Sequence, residues 1–383
     1  MSDQLTEVYA SIDALVDYAL DHLDLDPRNA DWTRNQIFAL FHLDSYPGPK
    51  TTTSAASVSD AVQDIVGSRS QAPSDEKTPD PLLAAFRAAA TTAGLFDPEE
   101  GPAYADTIMG ILSANPADLD DRFLLIEHRD GGMAAMQWFY DYCVANNYVK
   151  RAQLDRNPRF DSHGLTVTIN LAKPEFKNMK KAAAGNAVSG GYPKCTICHE
   201  NEGFAGRDKR TLRTLPVTLG GESWFWQFSP YGYFDQHGIC VNTDHTPMHV
   251  DRDTFGHLLD FVDRFPGYFL GCNAALPRIG GSVLAHDHYQ GGGELLPMHK
   301  AATWAAFTLA DYPDAVVEIL DWPGTAVRVV SKNRQSIIDV SDIIREAWVV
   351  MTTRRTASPA MTRTATANPP SRPARSSPNV AMR

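Results

Sequence analysis

Residues 280–293, GGSVLAHDHYQGGG, constrain the fold more than any other stretch of this chain. Glycine is a poor helix former, and glycine runs at both ends of a segment argue against a helix through it. In the extended alternative, successive side chains point to opposite faces. A strand here would line His286, His288 and Gln290 along one face at intervals of about 6.6 Å, with Asp287 and Tyr289 on the other. Two imidazoles and a carboxamide in a row suit a site that accepts a phosphate and attacks it. A neutral imidazole nitrogen can form a covalent phosphoramidate, which divides one hard transfer into two. His288 is the candidate nucleophile, and Gln290 is placed to donate a hydrogen bond to a phosphoryl oxygen as charge builds there. Glycines 280, 281 and 291–293 are expected to let a substrate approach the backbone closely. An HxH on a strand serves metal binding or a purely structural role as readily. The added glutamine and the glycine frame favour phosphate chemistry.

The rest of the chain sets the context. Its 383 residues suffice for two or three domains. A net charge of −11 argues against a nucleic-acid-binding surface. The first 25 residues are acidic and amphipathic, which is not the pattern of a signal peptide. No stretch approaches the roughly 18 apolar residues of a membrane helix. Five sparse cysteines (Cys143, Cys195, Cys198, Cys240 and Cys272) fit reduced thiols in a cytoplasm better than a disulfide framework.

Ile12, Leu15, Val16, Ala19, Leu20 and Leu23 recur at helical spacing, and further helical patterns run over 82–112 and 121–147. Residues 46–80, rich in Ser, Thr, Pro and Ala, read as a loop. After about 155 the pattern turns to strands: 165–171 alternates cleanly, and 212–219, 224–228, 238–242 and 268–273 are β-like, with a helix over 252–265. The expected class is α+β, with a helical region over 1–150 and an antiparallel sheet domain over 151–348. Residues 349–383 stand apart. From 351 onward they hold no acid, aromatic, Gly, Leu or Ile, yet six arginines. Thr, Ala, Pro, Arg and Ser dominate there, the composition of a disordered basic tail or of GC-rich DNA read out of frame.

Cys195-Thr-Ile-Cys198 is a weak signal alone: a redox pair, half a zinc site, or chance. No thioredoxin-like βαβ pattern surrounds it. Zinc needs about four N or S ligands, and His245 and His286 are candidates for the other two. Arg156, Lys173, Lys177, Lys180 and Lys181 suit phosphate, although such residues are more often solvated surface. Trp224, Trp226, Phe228 and Tyr231 could stack a nucleobase, although aromatic clusters more often form core.

Together these pieces resemble the second class of galactose-1-phosphate uridylyltransferases. The matching segments are LTVTINLAKP (165–174), YPKCTICHENEGFAGR (192–207), ESWFWQFSPY (222–231), NTDHTPM (242–248), FPGYFLGCN (265–273) and GGSVLAHDHYQGG (280–292). Asp26-Pro27-Arg28-Asn29 and Thr33-Arg34-Asn35 extend the resemblance into the helical region, so that it covers roughly 10–348. It implies a histidine-triad-like sheet domain. In such a domain His288 is uridylylated by UDP-glucose and passes the uridylyl group to galactose 1-phosphate, with Gln290 steadying the phosphate. By analogy with the first class, Cys195, Cys198, His245 and His286 fall where a structural zinc sits, and Asn273 matches an active-site asparagine. Ser282, Arg156 and Lys173 complete the expected substrate contacts. The resemblance also implies a cytoplasmic enzyme and a homodimer.

Two departures stand out. Gly293 takes a place where the family usually has a further histidine, and the family continues past residue 348. The HxHxQ pattern also serves nucleotide hydrolases and dinucleoside-polyphosphate phosphorylases, and a UDP-sugar-binding product without turnover is a third reading. The segments between 192 and 248 favour the uridylyltransferase.

Overall fold

The structure, a computed structural model, describes residues 2–48, 78–171, 191–275, 283–356 and 380–382. The chain divides into two compact units. One comprises Met1–Arg156 with Glu200–Arg213, the other Asn157–His199 with Thr214–Arg383.

The first unit is helical: α1 (Ser2–His22), α2 (Ala30–Leu40), α3 (Asp80–Thr92), α4 (Gly101–Leu112), α5 (Pro116–Asp130), α6 (Gly132–Ala145) and the short α7 (Arg151–Leu154). The apolar stripe of α1 accounts for its burial, with Val8, Ile12, Leu15, Val16 and Ala19 fully enclosed against Ile37, Phe86 and Ile108. Residues 200–213 are tied into this unit by polar contacts. The Asn146 side-chain amide donates to the Thr211 carbonyl at 2.8 Å, and the Arg213 Nε donates to the Ala114 carbonyl at 2.8 Å.

The second unit carries a hairpin, β1 (Arg159–Ser162) and β2 (Leu165–Thr168), turning through His163 and Gly164, both at positive φ. This matches the two-residue primed turn that suits the strand twist. The alternating pattern over 165–171 predicts a longer strand. The register ends at Arg159↔Thr168: beyond it the Ile169 N–H still donates to the Pro158 carbonyl at 2.9 Å, but Pro158 has no N–H to return the bond. The main sheet contains β3 (Leu215–Leu219), β4 (Glu222–Phe228), β5 (Gly238–Asn242), β6 (Phe269–Cys272), β7 (His288–Gly292) and the terminal β11 (Val380–Met382), in the order β11-β6-β7-β5-β4-β3, with every described pairing antiparallel. A second sheet, β10-β9-β8, is built from β8 (Thr303–Leu309), β9 (Tyr312–Leu320) and β10 (Val327–Val330).

Helix α8 (Arg252–Arg264) packs on the main sheet. A capping box fixes its start: the Asp251 carboxylate accepts from the Thr254 N–H at 3.1 Å, and the Asp251 N–H donates to the Thr254 hydroxyl at 3.1 Å. Helix α9 (Arg334–Thr356) follows β10 and runs without a break through the compositional change at 349. The molecule is thus α+β, a helical N-terminal region followed by antiparallel sheets. No described helix is long and apolar enough to cross a membrane.

Candidate functional site

Strand β7 lies in the middle of the main sheet, with β5 on one side and β6 on the other. In register, Val241 stands opposite His288, Ile239 and Gly271 flank Gln290, and Cys240 and Cys272 flank Tyr289. Opposed residues share a face, so the sheet separates two environments. On one face Tyr289 stacks on Trp224, with ring centroids 4.7 Å apart and planes 15° apart, and its hydroxyl lies 3.1 Å from Nδ1 of His257 on α8. Trp224, Trp226 and Phe228 are almost wholly buried there, so they are core and not a platform for a nucleobase. The other face carries His288 and Gln290. Phe225 and Gln227 share it, and the CxxC loop covers them: His199 meets the Phe225 ring edge-on at 5.1 Å, and the Gln227 amide reaches the Ile197 carbonyl at 3.5 Å.

The expected single line of three side chains is only partly realised. Strand β7 begins at His288, and His286 sits in the bend before it, where its N–H donates to the Val283 carbonyl at 3.0 Å. The bend separates the two histidines into different jobs. His286 Nε2 lies 2.7 Å from the Asn242 carbonyl oxygen. A carbonyl can only accept, so Nε2 carries the proton and Nδ1 keeps its lone pair. That Nδ1 faces the Cys195 and Cys198 sulfurs at 3.3 and 3.7 Å. The sulfurs are 3.4 Å apart, and His245 Nδ1 is 3.1 Å from the Cys198 sulfur. All four ligand atoms lie within 4.8 Å of one another, and both cysteines and His286 are buried. Bond lengths of about 2.0–2.3 Å to zinc give a tetrahedron with edges of roughly 3.3–3.8 Å, close to these separations. The four residues fit a zinc ion, and the carbonyl behind His286 supplies the outer partner that orients a metal-bound imidazole.

His288 is held by the same device with the nitrogens exchanged. Its Nδ1 lies 2.8 Å from the His286 carbonyl oxygen, so Nδ1 carries the proton and Nε2 keeps the lone pair. The ring is buried. Burial lowers its affinity for a second proton below the usual imidazole range, against the smaller opposing effect of that hydrogen bond. A neutral imidazole with its tautomer fixed in this sense is chemically able to act as a nucleophile through Nε2.

Gln290 is half-buried, and its Oε1 lies 3.3 Å from Nε2 of His237 in the loop before β5. His237 is a residue that sequence reasoning passed over, since only the cross-strand register reveals its proximity. The glycines also have a different reason from the one expected. A Cβ on Gly291 would meet the Phe269 carbonyl oxygen at 2.1 Å, and one on Gly292 would meet the Phe234 ring at 2.6 Å. The protein itself fills the space beside them. Gly280 and Gly281 lie outside the described residues, as do Ser282 and Lys173. Asn273 directly follows β6, whose Gly271 is opposite Gln290. Arg156 is exposed at the last position of the helical unit's first segment.

Comparison with known proteins finds relatives of this chain. Residues 70–247 match the family model described as galactose-1-phosphate uridyl transferase, N-terminal domain. That span includes Cys195, Cys198 and His245 and stops short of His286. A galactose-1-phosphate uridylyltransferase of Bifidobacterium longum subsp. longum is 97% identical over 349 residues, 91% of this chain and 68% of the relative. One of Butyrivibrio fibrisolvens is 34% identical over 347 residues, 88% of this chain and 84% of the relative. One of Streptococcus mutans is 38% identical over 258 residues, 65% of this chain and 52% of the relative. The chain thus spans from about half to five sixths of the length of these relatives. No solved structure matches.

Proposed function

The chain belongs to the galactose-1-phosphate uridyl transferase family, and on that premise we propose that it moves a uridylyl group from UDP-glucose to galactose 1-phosphate through a covalent intermediate on His288. In the first half-reaction His288 Nε2 attacks the α-phosphorus. A P–N bond forms, the bond from that phosphorus to the bridging oxygen breaks, and glucose 1-phosphate leaves with the electron pair. In the second, a phosphate oxygen of galactose 1-phosphate attacks the same phosphorus, the P–N bond breaks, and His288 returns to its starting state. The leaving group is already a phosphate anion, so no general acid is required.

The observation that carries this reading is the hydrogen bond from His288 Nδ1 to the His286 carbonyl, which leaves Nε2 as the only reactive nitrogen. As the phosphoryl group is attacked, the Gln290 amide N–H donates to one of its oxygens. Cys195, Cys198, His245 and His286 would hold a zinc ion, which would serve as a structural crosslink, and His286, so held, would keep in place the carbonyl that orients His288. Asn273, Ser282, Arg156 and Lys173 belong to the proposal as substrate contacts. So does cytoplasmic placement, supported by five cysteines that are not joined in disulfides. The homodimer is part of it too, to be checked by light scattering.

The test is intact-protein mass after mixing with UDP-glucose, quenched at alkaline pH because phosphoramidates are acid-labile. A uridylyl-sized adduct, present in the native protein and absent from His288→Asn, supports the first half-reaction. Folded protein that binds UDP-glucose and forms no adduct overturns the transfer reading.

A further inference from the structure

We infer that His237 is a positioning residue for the reaction, acting through Gln290, an inference that rests on the uridylyl-transfer reading. An amide side chain has two ends of similar shape and opposite hydrogen-bonding sense, and its rotation by half a turn exchanges donor for acceptor. For Gln290 to stabilise charge on a phosphoryl oxygen, its NH2 must face the substrate and its oxygen must face away. Something has to make that orientation the cheaper one.

His237 is placed to do so. Its Nε2 lies 3.3 Å from Gln290 Oε1. An amide oxygen only accepts, so the contact requires a proton on Nε2, and that proton would repel the NH2 end if the amide turned over. The imidazole is 8% exposed and cannot swing freely. Its ring packs against Tyr233 and Phe234 at centroid distances of 4.7 and 4.4 Å. The chain behind it is pinned where the Ser229 N–H donates to the His237 carbonyl at 2.8 Å. Gly232 makes room for the ring: a Cβ there would stand 2.8 Å from the His237 Cβ. A buried, braced donor aimed at one end of the catalytic amide serves the second function asked of a site, namely holding the contacting group in its productive sense.

The experiment has two arms. The first needs no turnover. In protein labelled with 15N-histidine, long-range proton–nitrogen correlations report each ring's tautomer, and loss of one signal in His237→Phe assigns His237. A proton on Nε2 supports the inference, and a proton on Nδ1 alone overturns it. The second arm is kinetic. His237→Phe keeps the aromatic packing and removes the donor. It is expected to lower kcat about 10–100-fold with KM little changed. His237→Gln, which can present an amide N–H at a similar reach, should recover part of that loss. In a Gln290→Ala background His237→Phe should cost nothing further, since a residue that acts only through Gln290 has nothing left to position. An equal loss in both backgrounds would make His237 a packing residue and defeat the inference. If no variant, nor the native protein, forms a uridylyl adduct, the transfer reading fails, and the tautomer still decides whether His237 directs Gln290.

Discussion

His286 and His288 are two residues apart and chemically alike, yet one backbone carbonyl behind each ring sends them to different work. The Asn242 carbonyl accepts from Nε2–H of His286 and leaves Nδ1 facing the two cysteine sulfurs. The His286 carbonyl accepts from Nδ1–H of His288 and leaves the lone pair on Nε2, the nitrogen proposed to attack phosphorus. This explains the choice of asparagine in the decisive substitution. The Asn amide N–H stands close to where Nδ1–H stood and can keep the bond to the His286 carbonyl, while the nitrogen proposed as the nucleophile is gone. His288→Asn is therefore expected to fold with an unchanged melting temperature and to lose at least about 10³-fold in transfer, measured by coupled assay. Residual turnover near the native rate would place the nucleophile elsewhere. At this scale part was legible from composition and spacing: HxHxQ drew attention to the two residues proposed as nucleophile and helper, and CxxC with two distant histidines named four residues that converge. Tautomers were not, because they depend on carbonyls whose direction no side-chain pattern records. Nor was His237, which reaches Gln290 only through strand register.

At the scale of the element, β7 shows how a correct alternation can still overrun its strand. The period-two reading extended to His286, but the chain bends there, which is what lets His286 turn toward Cys195 and Cys198. The glycines that close the strand are packing requirements. A methyl on Gly291 would meet the Phe269 carbonyl oxygen, a backbone atom that cannot rotate away, so β6 and β7 would have to part. Gly291→Ala should cost about 1–3 kcal/mol in urea unfolding and lower kcat, since Gln290 moves with its neighbour. An unchanged unfolding midpoint would show that the strands separate freely. Just past β7, Glu294 ties this end of the strand to β1. Arg159 donates to its carboxylate, as does the Asp235 N–H at 3.0 Å. Burial alone would raise the Glu294 pKa. The Arg159 and Asp235 hydrogen bonds, with the charges of Arg159 and Lys300, more than reverse this and hold it below the ordinary value. A depressed carboxylate contributes stability above its unfolded pKa and loses it as pH falls through the folded one. Glu294→Gln should thus lower stability at pH 7, by less than about 1 kcal/mol for so exposed a pair, and by progressively less at acid pH below the ordinary carboxylate range. Equal effects at neutral and acid pH would remove the ionic explanation.

At the scale of the molecule, the four-residue cluster gathers three stretches far apart in the chain. One is the loop carrying Cys195 and Cys198, another the connection after β5 carrying His245, and the third the bend before β7 carrying His286. Composition and patterning located the change from helix to sheet near residue 155, but they could not show that 200–213 belongs with the helices, since its ties are single long-range bonds such as Asn146 to the Thr211 carbonyl. Nor did they reveal β8–β10 and α9. The cluster of two cysteines and two histidines is a long-range link in the sheet unit that residue types alone could announce, and an ion held there would have a direct energetic consequence. An ion that binds the folded chain and not the unfolded one stabilises by mass action, about 2.7 kcal/mol when free metal is 100 times its dissociation constant. For a unit of this size that corresponds to roughly 5–11 °C in melting temperature. Dialysis against a chelator under reducing conditions should lower the native melting temperature by an amount in this range, and zinc should restore it. Cys195→Ser breaks the ligand set, so it should melt near the chelated value from the outset, carry less zinc by elemental analysis, and respond little to chelator. Because the His286 carbonyl orients His288, the same treatment should slow adduct formation on His288 in protein that is still folded below the lowered transition. A native protein whose melting temperature ignores the chelator, or a Cys195→Ser variant that responds as the native protein does, would leave the four side chains as a buried polar cluster with no ion to hold.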